Sequence, residues 1–308
     1  MQKYEIFCDF LLFLHRKIKS VMKKSFLSLI LILFTLSVFP QSLLWKVTGK
    51  DLKEPSYLYG SIHIQDQRVF SFDTTVLTAL YSCDAFAMEI LMDEIDAADA
   101  KAFTYMPKGK LLSEMMSESD FHKLDSVCKK KIHTSAYLLN TIKPFFVMSL
   151  LQQSEFSQDQ EDALDIFFLK KAREANKLCY GVEKYSTQMG AIDAIKLKDQ
   201  VAMLLQAIND TTTTESGESM TDGLLDAYLS FNLDTMLVMS NDPSMPKKFN
   251  KIFLVDRNVG MANNFEKIAL EHNLFCVVGA AHLGGDKGVI ALLRKKGYTV
   301  EPVKFEWK

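Results

Sequence analysis

Two short patterns, far apart in the chain, hold the residues best suited to chemistry. Gly60-Ser61-Ile62-His63 and Gly279-Ala280-Ala281-His282 each set a histidine three residues after a glycine. With 13 Gly and 6 His in 308 residues, chance places only about a quarter of one Gly-x-x-His match. A single match is ordinarily a turn glycine beside an unrelated histidine. Two matches, directly after the strand-like runs 57–59 and 275–278, point to one site at the carboxyl ends of strands. Glycine there permits a sharp turn or a close backbone approach. A histidine at the rim can bind a metal or move protons.

Carboxylates occur in the same setting. Glu89 closes the apolar run 85–90, and Glu183 follows the run 178–182. His63, Glu89, Glu183 and His282 are therefore expected on one rim. Such a nitrogen and carboxylate set suits Zn, Mn or Co better than Ca. A metal there would acidify water and polarise a carbonyl, which is hydrolase chemistry. A metal-free pair, one histidine as general base and an acid orienting it, uses the same residues. Arg257 and Asn258 open a helix and can hold an anion or position an acid. Each residue also has an ordinary alternative: Glu89 as a helix cap or lysine partner, Glu183 at a helix start, Arg257 in a surface ion pair. The chain has no nucleophile-elbow serine, no Gly-x-x-x-x-Gly-Lys loop and no His-Glu-x-x-His.

The elements that must position these residues read as an α/β domain. Strands are expected at 43–48, 56–62, 85–90, 178–182, 275–278 and 298–305, and helices at 74–81, 113–131, 141–153, 161–176, 196–208, 222–229, 233–239, 249–269 and 287–296. Residues 141–153 are apolar nearly all round, which predicts a buried helix. The polar, threonine-rich run 211–219 predicts a loop. Strands thus cluster at both chain ends and helices fill the middle. One mixed central sheet, built from both ends, would unite the two motifs.

Composition excludes some classes. The net charge of −2 and the lack of aromatic-basic interleaving give no basis for nucleic-acid binding. Met22-Lys23-Lys24 followed by the apolar run 26–39 has the layout of a signal peptide. Residues 1–41 are therefore expected to be a leader starting at Met22, and 42–308 one domain, exported to the periplasm or outside. The alternative is an uncleaved N-terminal anchor; a transient membrane association through the leader fits both. The four cysteines beyond the leader, Cys83, Cys128, Cys179 and Cys276, read as core residues rather than a zinc site.

The residues also resemble a known family. Leu44-Trp45-Lys46-Val47 with the 56–63 segment, Ala87-Met88-Glu89-Ile90, Tyr180-Gly181-Val182-Glu183 with Gln188, Asp256-Arg257-Asn258, and 278–283 with Gly288, Leu292-Leu293, Gly297-Tyr298 and Val300 are similar, in order, to TraB/GumN proteins, which include the Tiki proteases. The resemblance implies one α/β domain with paired Gly-x-x-His motifs around an active site. It implies His63, Glu89 and His282 as metal ligands, with Glu183, Arg257 and Asn258 in support. Ala281 stands where relatives often have a third glycine. A positive φ there would cost about 1 kcal/mol with alanine.

The function expected is an exported, metal-dependent hydrolase acting on peptides, with Glu183 as general base and Arg257 steadying an oxyanion or substrate carboxylate. Two other readings stay open: a protein that captures a peptide or small signal without cleaving it, and a metal-free, esterase-like hydrolase.

Overall fold

The computed structural model describes residues 41–209, 220–240 and 250–308. The expected leader, apart from Gln41, and the loop expected at 211–219 lie outside the described residues.

Among the described residues, short apolar and aromatic runs form six strands: β1 (Leu44–Thr48), β2 (Ser56–Ser61), β3 (Ala85–Met88), β4 (Leu178–Gly181), β5 (Leu274–Gly279) and β6 (Thr299–Val303). They form one sheet in the order β4-β3-β5-β2-β1-β6. β4, β3, β5 and β2 run parallel, while β1 is antiparallel to both β2 and β6. The sheet is mixed, and both chain ends build it, as the strand-like runs predict. β5 is buried along its length because it lies between two parallel neighbours under helices.

The helices are α1 (Thr74–Tyr81), α2 (Ala97–Thr104), α3 (Glu118–Ile132), α4 (Pro144–Gln153), α5 (Leu164–Glu174), α6 (Tyr185–Asp193), α7 (Leu197–Asn209), α8 (Met220–Leu229), α9 (Leu233–Met239), α10 (Asp256–Ala269) and α11 (Val289–Lys295). One helix start, the burial of one helix and two further helices differ from expectation, for local reasons. α3 begins at Glu118 because Ser117 caps it, its hydroxyl accepting from the Asp120 N–H. The residues before it, Leu112–Glu114, make a separate 3-10 turn. α4 is not buried all round: Leu150 is 43% exposed, because only one face packs on α3 and α7. α2 and α6 carry too weak an apolar stripe to announce themselves in sequence.

Two apolar cores result. The larger one lies on the sheet, with Tyr59, Phe168 and Phe275 fully buried and the Tyr59 and Phe168 rings 4.9 Å apart, edge to face. The smaller joins α3, α4 and α7 through Leu124, Val147 and Leu204. The four cysteines are free thiols; Cys83, Cys128 and Cys276 are buried, and Cys179 is half-buried on the edge strand β4.

The glycine of the first motif has a packing reason. A β-carbon on Gly60 would stand 2.9 Å from Leu283 Cδ1 and 3.1 Å from Ala280 Cβ, so β2 passes closely under the turn that carries His282. Gly60→Ala is expected to destabilise the protein by about 1–3 kcal/mol through overpacking, read as a shift of the urea midpoint with unchanged slope.

Glu266 on α10 ties the sheet margin to the helices. It accepts from Lys296 Nζ (2.6 Å), Lys50 Nζ (2.9 Å) and Tyr298 Oη (3.1 Å), which hold its carboxyl down at about 2. A depressed carboxyl stabilises the fold above its unfolded value and loses that contribution as pH falls through the folded one. The wild type is therefore expected to be more stable than Glu266→Gln at neutral pH, by about 1 kcal/mol after solvent screening. The gap should close between the ordinary glutamate range and about pH 2, measured by thermal melts.

Candidate active site

Register decides what meets at the sheet end. Ser61 pairs with Gly279 across parallel β2 and β5, Met88 with Val277 across β3 and β5, and Met88 with Gly181 across β3 and β4. Four parallel strands thus end together. The residues just past those ends, His63, Glu89, Glu183 and His282, reach one rim. Gly279 occupies the middle: a β-carbon there would stand 3.1 Å from Glu89 Oε1, 3.5 Å from His282 Cδ2 and 4.0 Å from His63 Nε2. Its φ is −54°, so the second motif glycine leaves space rather than making a left-handed turn. Ala281 lies in the 3-10 turn Ala280–His282 and has no positive φ, so alanine is accommodated there without backbone strain.

Glu89 is 7% exposed and fully engaged. Its Oε1 accepts from the Gly279 N–H at 2.7 Å, and its Oε2 accepts from Arg257 Nη2 at 2.7 Å. Burial works to raise its pKa, but the His282 imidazolium, which forms only at the low pH where Glu89 titrates, the Arg257 and His63 charges and the Gly279 N–H outweigh it and hold it at about 2. Arg257 is 3% exposed and binds Glu183 as well, its Nε lying 2.8 and 3.0 Å from the two carboxylate oxygens. Burial pushes the Glu183 carboxyl up against the pull of Arg257. Arg257 Nη1 donates to the Phe253 carbonyl, and the guanidinium stacks 5.1 Å from the Phe253 ring. Phe253 lies in a π-helical turn, Lys251–Val255, directly before α10. Such turns are frequent at functional sites; this one places the carbonyl and ring that hold Arg257.

The two histidines each face an oxygen through Nδ1, by a hydrogen bond at His282 and an ion-pair contact at His63, and they are charged differently. His282 Nδ1 lies 2.6 Å from Asn258 Oδ1, and Asn258 Nδ2 donates to the Lys287 carbonyl. That second bond fixes the amide orientation, so Nδ1 carries the proton and Nε2 keeps its lone pair, 3.8 Å from Glu89 Oε1. Burial lowers the His282 pKa to about 4, so the ring is neutral at pH 7. His63 Nδ1 lies 3.0 Å from Asp165 Oδ1. The His63 side chain is 55% exposed and opens on a cavity. Desolvation acts downward on His63, but the Asp165 and Glu89 carboxylates overcome it and raise its pKa to about 9.

The structure therefore brings together all six expected residues. His63 and Glu89 line the cavity; Glu183 and Arg257 form a buried ion cluster with Glu89, and Asn258 supports His282. Asp165 was hidden in the sequence, being the second residue of an amphipathic helix. Its only signal is a lone carboxylate in the run Leu164-Asp165-Ile166-Phe167-Phe168-Leu169. Among the described residues, no three His, Cys, Asp or Glu side chains stand arranged to hold a metal ion. The donor chemistry of His63, Glu89 and His282 nevertheless suits a transition metal, because His282 is hydrogen-bonded through Nδ1 to an oxygen, the usual support of a metal-ligating histidine, and His63 has the Asp165 carboxylate beside its Nδ1.

Fold and site together define an α/β protein whose parallel strand ends carry a paired-histidine and carboxylate centre. The chain belongs to the TraB/PrgY/gumN family, which matches residues 43–302. It is similar to a protein named Metalloprotease TIKI homolog from Nematostella vectensis, 23% identical over 86% of this chain and 68% of that protein. It is also similar to Metalloprotease TIKI1 of Danio rerio, 22% identical over 84% of this chain and 63% of that protein. Metalloprotease TIKI1 of Homo sapiens is 21% identical over 84% of this chain, which spans 61% of its length. No solved structure matches the chain significantly. No helix among the described residues is long and apolar enough to cross a membrane.

Proposed function

We propose that this protein is a metal-dependent peptide hydrolase. The observation that carries the reading is the meeting of His63, His282 and Glu89 around Gly279, each histidine with an oxygen beside its Nδ1. The names of the relatives support it. His63, Glu89 and His282 would hold a divalent ion, Mn, Co or Zn, which when bound polarises a carbonyl and acidifies water. Asn258 Oδ1 keeps the proton on His282 Nδ1 and leaves its Nε2 lone pair free, whereas His63, held protonated beside Asp165, would give up its Nε2 proton on taking a metal. Arg257 and the Gly279 N–H keep Glu89 ionised and aimed at the centre. Glu183 and Arg257 act behind Glu89 in this reading, each neutralising the other. In the reaction the water oxygen bonds to the carbonyl carbon, the C–N bond breaks, and the amine leaves with a proton. The expected leader supports export as part of the same proposal.

The test is peptide cleavage by the full chain, followed by mass spectrometry, after chelation and after return of Mn, Co or Zn. Cleavage lost on chelation and restored by an ion is expected. Cleavage that survives chelation would shift the reading to the metal-free hydrolase, with the His63 imidazolium as acid. Capture without cleavage is favoured by one observation, the absence of a ready three-ligand arrangement among the described residues; peptides bound intact under every metal would establish that reading instead.

A further inference from the structure

The cavity onto which His63 and Glu89 open has a chemical character that the catalytic residues do not explain. Its volume is about 360 Å3, near the small end of the range of ligand pockets, roughly 300–1,000 Å3. Charge is confined to His63, Glu89 and Asp165. Much of the remaining wall is apolar: Met88 at the end of β3, Ile90, Met92 and Ile95 in the segment that follows, and Ile166 in the first turn of α5. Met92 is 58% exposed, so folding gains little from having an apolar residue there. A methionine at a binding surface offers a flexible, polarisable contact that adapts to different apolar partners.

Three uncharged residues with polar groups interrupt this wall: Ser61, Gln188 and Tyr185. Ser61 Oγ is buried, in a residue 1% exposed, and has no hydrogen-bond partner among the described residues. An unsatisfied buried hydroxyl is destabilising unless something from outside completes it. Ser61 sits opposite Gly279 in the β2–β5 register, beside the catalytic centre. Gln188 on α6 lines the same cavity with an amide that can both donate and accept. A peptide group offers the complementary acceptor and donor, and an aliphatic or aromatic side chain offers the complementary surface. A charged side chain would lose its water among Met88, Ile90, Ile95 and Ile166, and an uncharged polar one would leave its groups unpaired against them.

We propose that this cavity selects the substrate, taking the large apolar side chain (leucine, methionine or phenylalanine class) of the residue beside the scissile bond while Ser61 Oγ and Gln188 hydrogen-bond that residue's main chain. The inference rests on the peptide-hydrolase reading for cleavage but makes its own claim about recognition. Its position at the end of β2 and β3, continuous with His63 and Glu89, is what makes the occupant a neighbour of the reacting bond rather than a remote ligand.

The test measures binding and cleavage separately on fluorescently labelled, end-blocked peptides Gly-Gly-X-Gly-Gly, with X as Leu, Met, Phe, Ala, Asp or Lys. The proteins are the full chain, Ala163→Phe, which fills the cavity from the residue preceding α5, and Ile95→Asp, which puts charge on its wall. The wild type is expected to prefer Leu, Met and Phe over Ala by at least about tenfold, since even one methylene in an apolar pocket discriminates by roughly 10- to 200-fold. Asp and Lys peptides should be the poorest. That preference should collapse in Ala163→Phe and in Ile95→Asp, with both variants keeping wild-type circular dichroism. Equal binding of all six peptides, binding of none, or a preference unchanged in both variants would overturn the inference. Selective binding without cleavage would overturn the hydrolase reading and leave the cavity assignment standing.

Discussion

Arg257→Ala is expected to destabilise the protein by about 3–5 kcal/mol, the cost of breaking a buried ion pair by removing one partner. At roughly 2–4 °C per kcal/mol for a chain of this size class, the melting temperature should fall by roughly 6–20 °C. The magnitude follows from burial. Arg257 is the shared cation of Glu89 and Glu183, and the side chains of all three are at most 8% exposed. Without it Glu183 loses its counter-charge and Glu89 keeps only the His63 charge and the Gly279 N–H, both carboxylates being 5–8% exposed, and a carboxylate in that position rises in pKa. The sign of the pH dependence should therefore reverse. In the wild type, Glu89 with its carboxyl near 2 contributes stability above the ordinary glutamate range that fades as pH falls toward 2. In Arg257→Ala, lowering the pH protonates the stranded acids and relieves the variant. Arg257→Lys should recover only part of the loss, because an ammonium cannot span Glu89, Glu183 and the Phe253 carbonyl with a rigid fork. Urea unfolding from about pH 2 to pH 8 measures this; equal stability of Arg257→Ala and wild type would refute the ion cluster as drawn.

His282→Ala is expected to lower kcat/KM on peptides by at least about 100-fold while the fold persists. Deleting the imidazole leaves Asn258 Oδ1 without its donor, a loss of about 1–3 kcal/mol that a domain of ordinary stability survives. Bound metal per chain, measured by mass spectrometry after incubation with Mn, Co or Zn, should drop with activity. Asn258→Ala gives the graded control. It keeps the ring but frees its tautomer and orientation, and such outer partners are worth about 10–100-fold in metal affinity or activity. A His282→Ala protein that retains both metal and turnover would remove His282 from the centre.

Particular elements show why some of this was legible early. The Gly-x-x-His motifs, Glu89 after an apolar run and the strand-rich chain ends are local patterns, carried by residues a few positions apart. Strand period and glycine placement are dictated by backbone geometry that every residue feels on its own. The run 141–153 misled because apolarity all round predicts burial, whereas α4 turns Leu150 outward. Asp165 stayed hidden because a carboxylate in an amphipathic helix looks the same whether it meets water or a histidine 102 positions away.

Local residue patterns already specify an α/β chain, the two histidines at strand ends, the acids that follow β3 and β4, and the likeness to a family. Only the tertiary structure decided that β2 and β5 lie parallel with Ser61 opposite Gly279, which makes two motifs one site. It alone assigned Arg257 to Glu89 and Glu183, Asn258 to His282 and Asp165 to His63, and it alone excused Ala281 from a positive φ. The physical reason is range. Dihedral preferences and apolar periods act between neighbours in the chain, but hydrogen bonds and ion pairs act over about 3 Å in space and link residues whose meeting depends on the whole sheet.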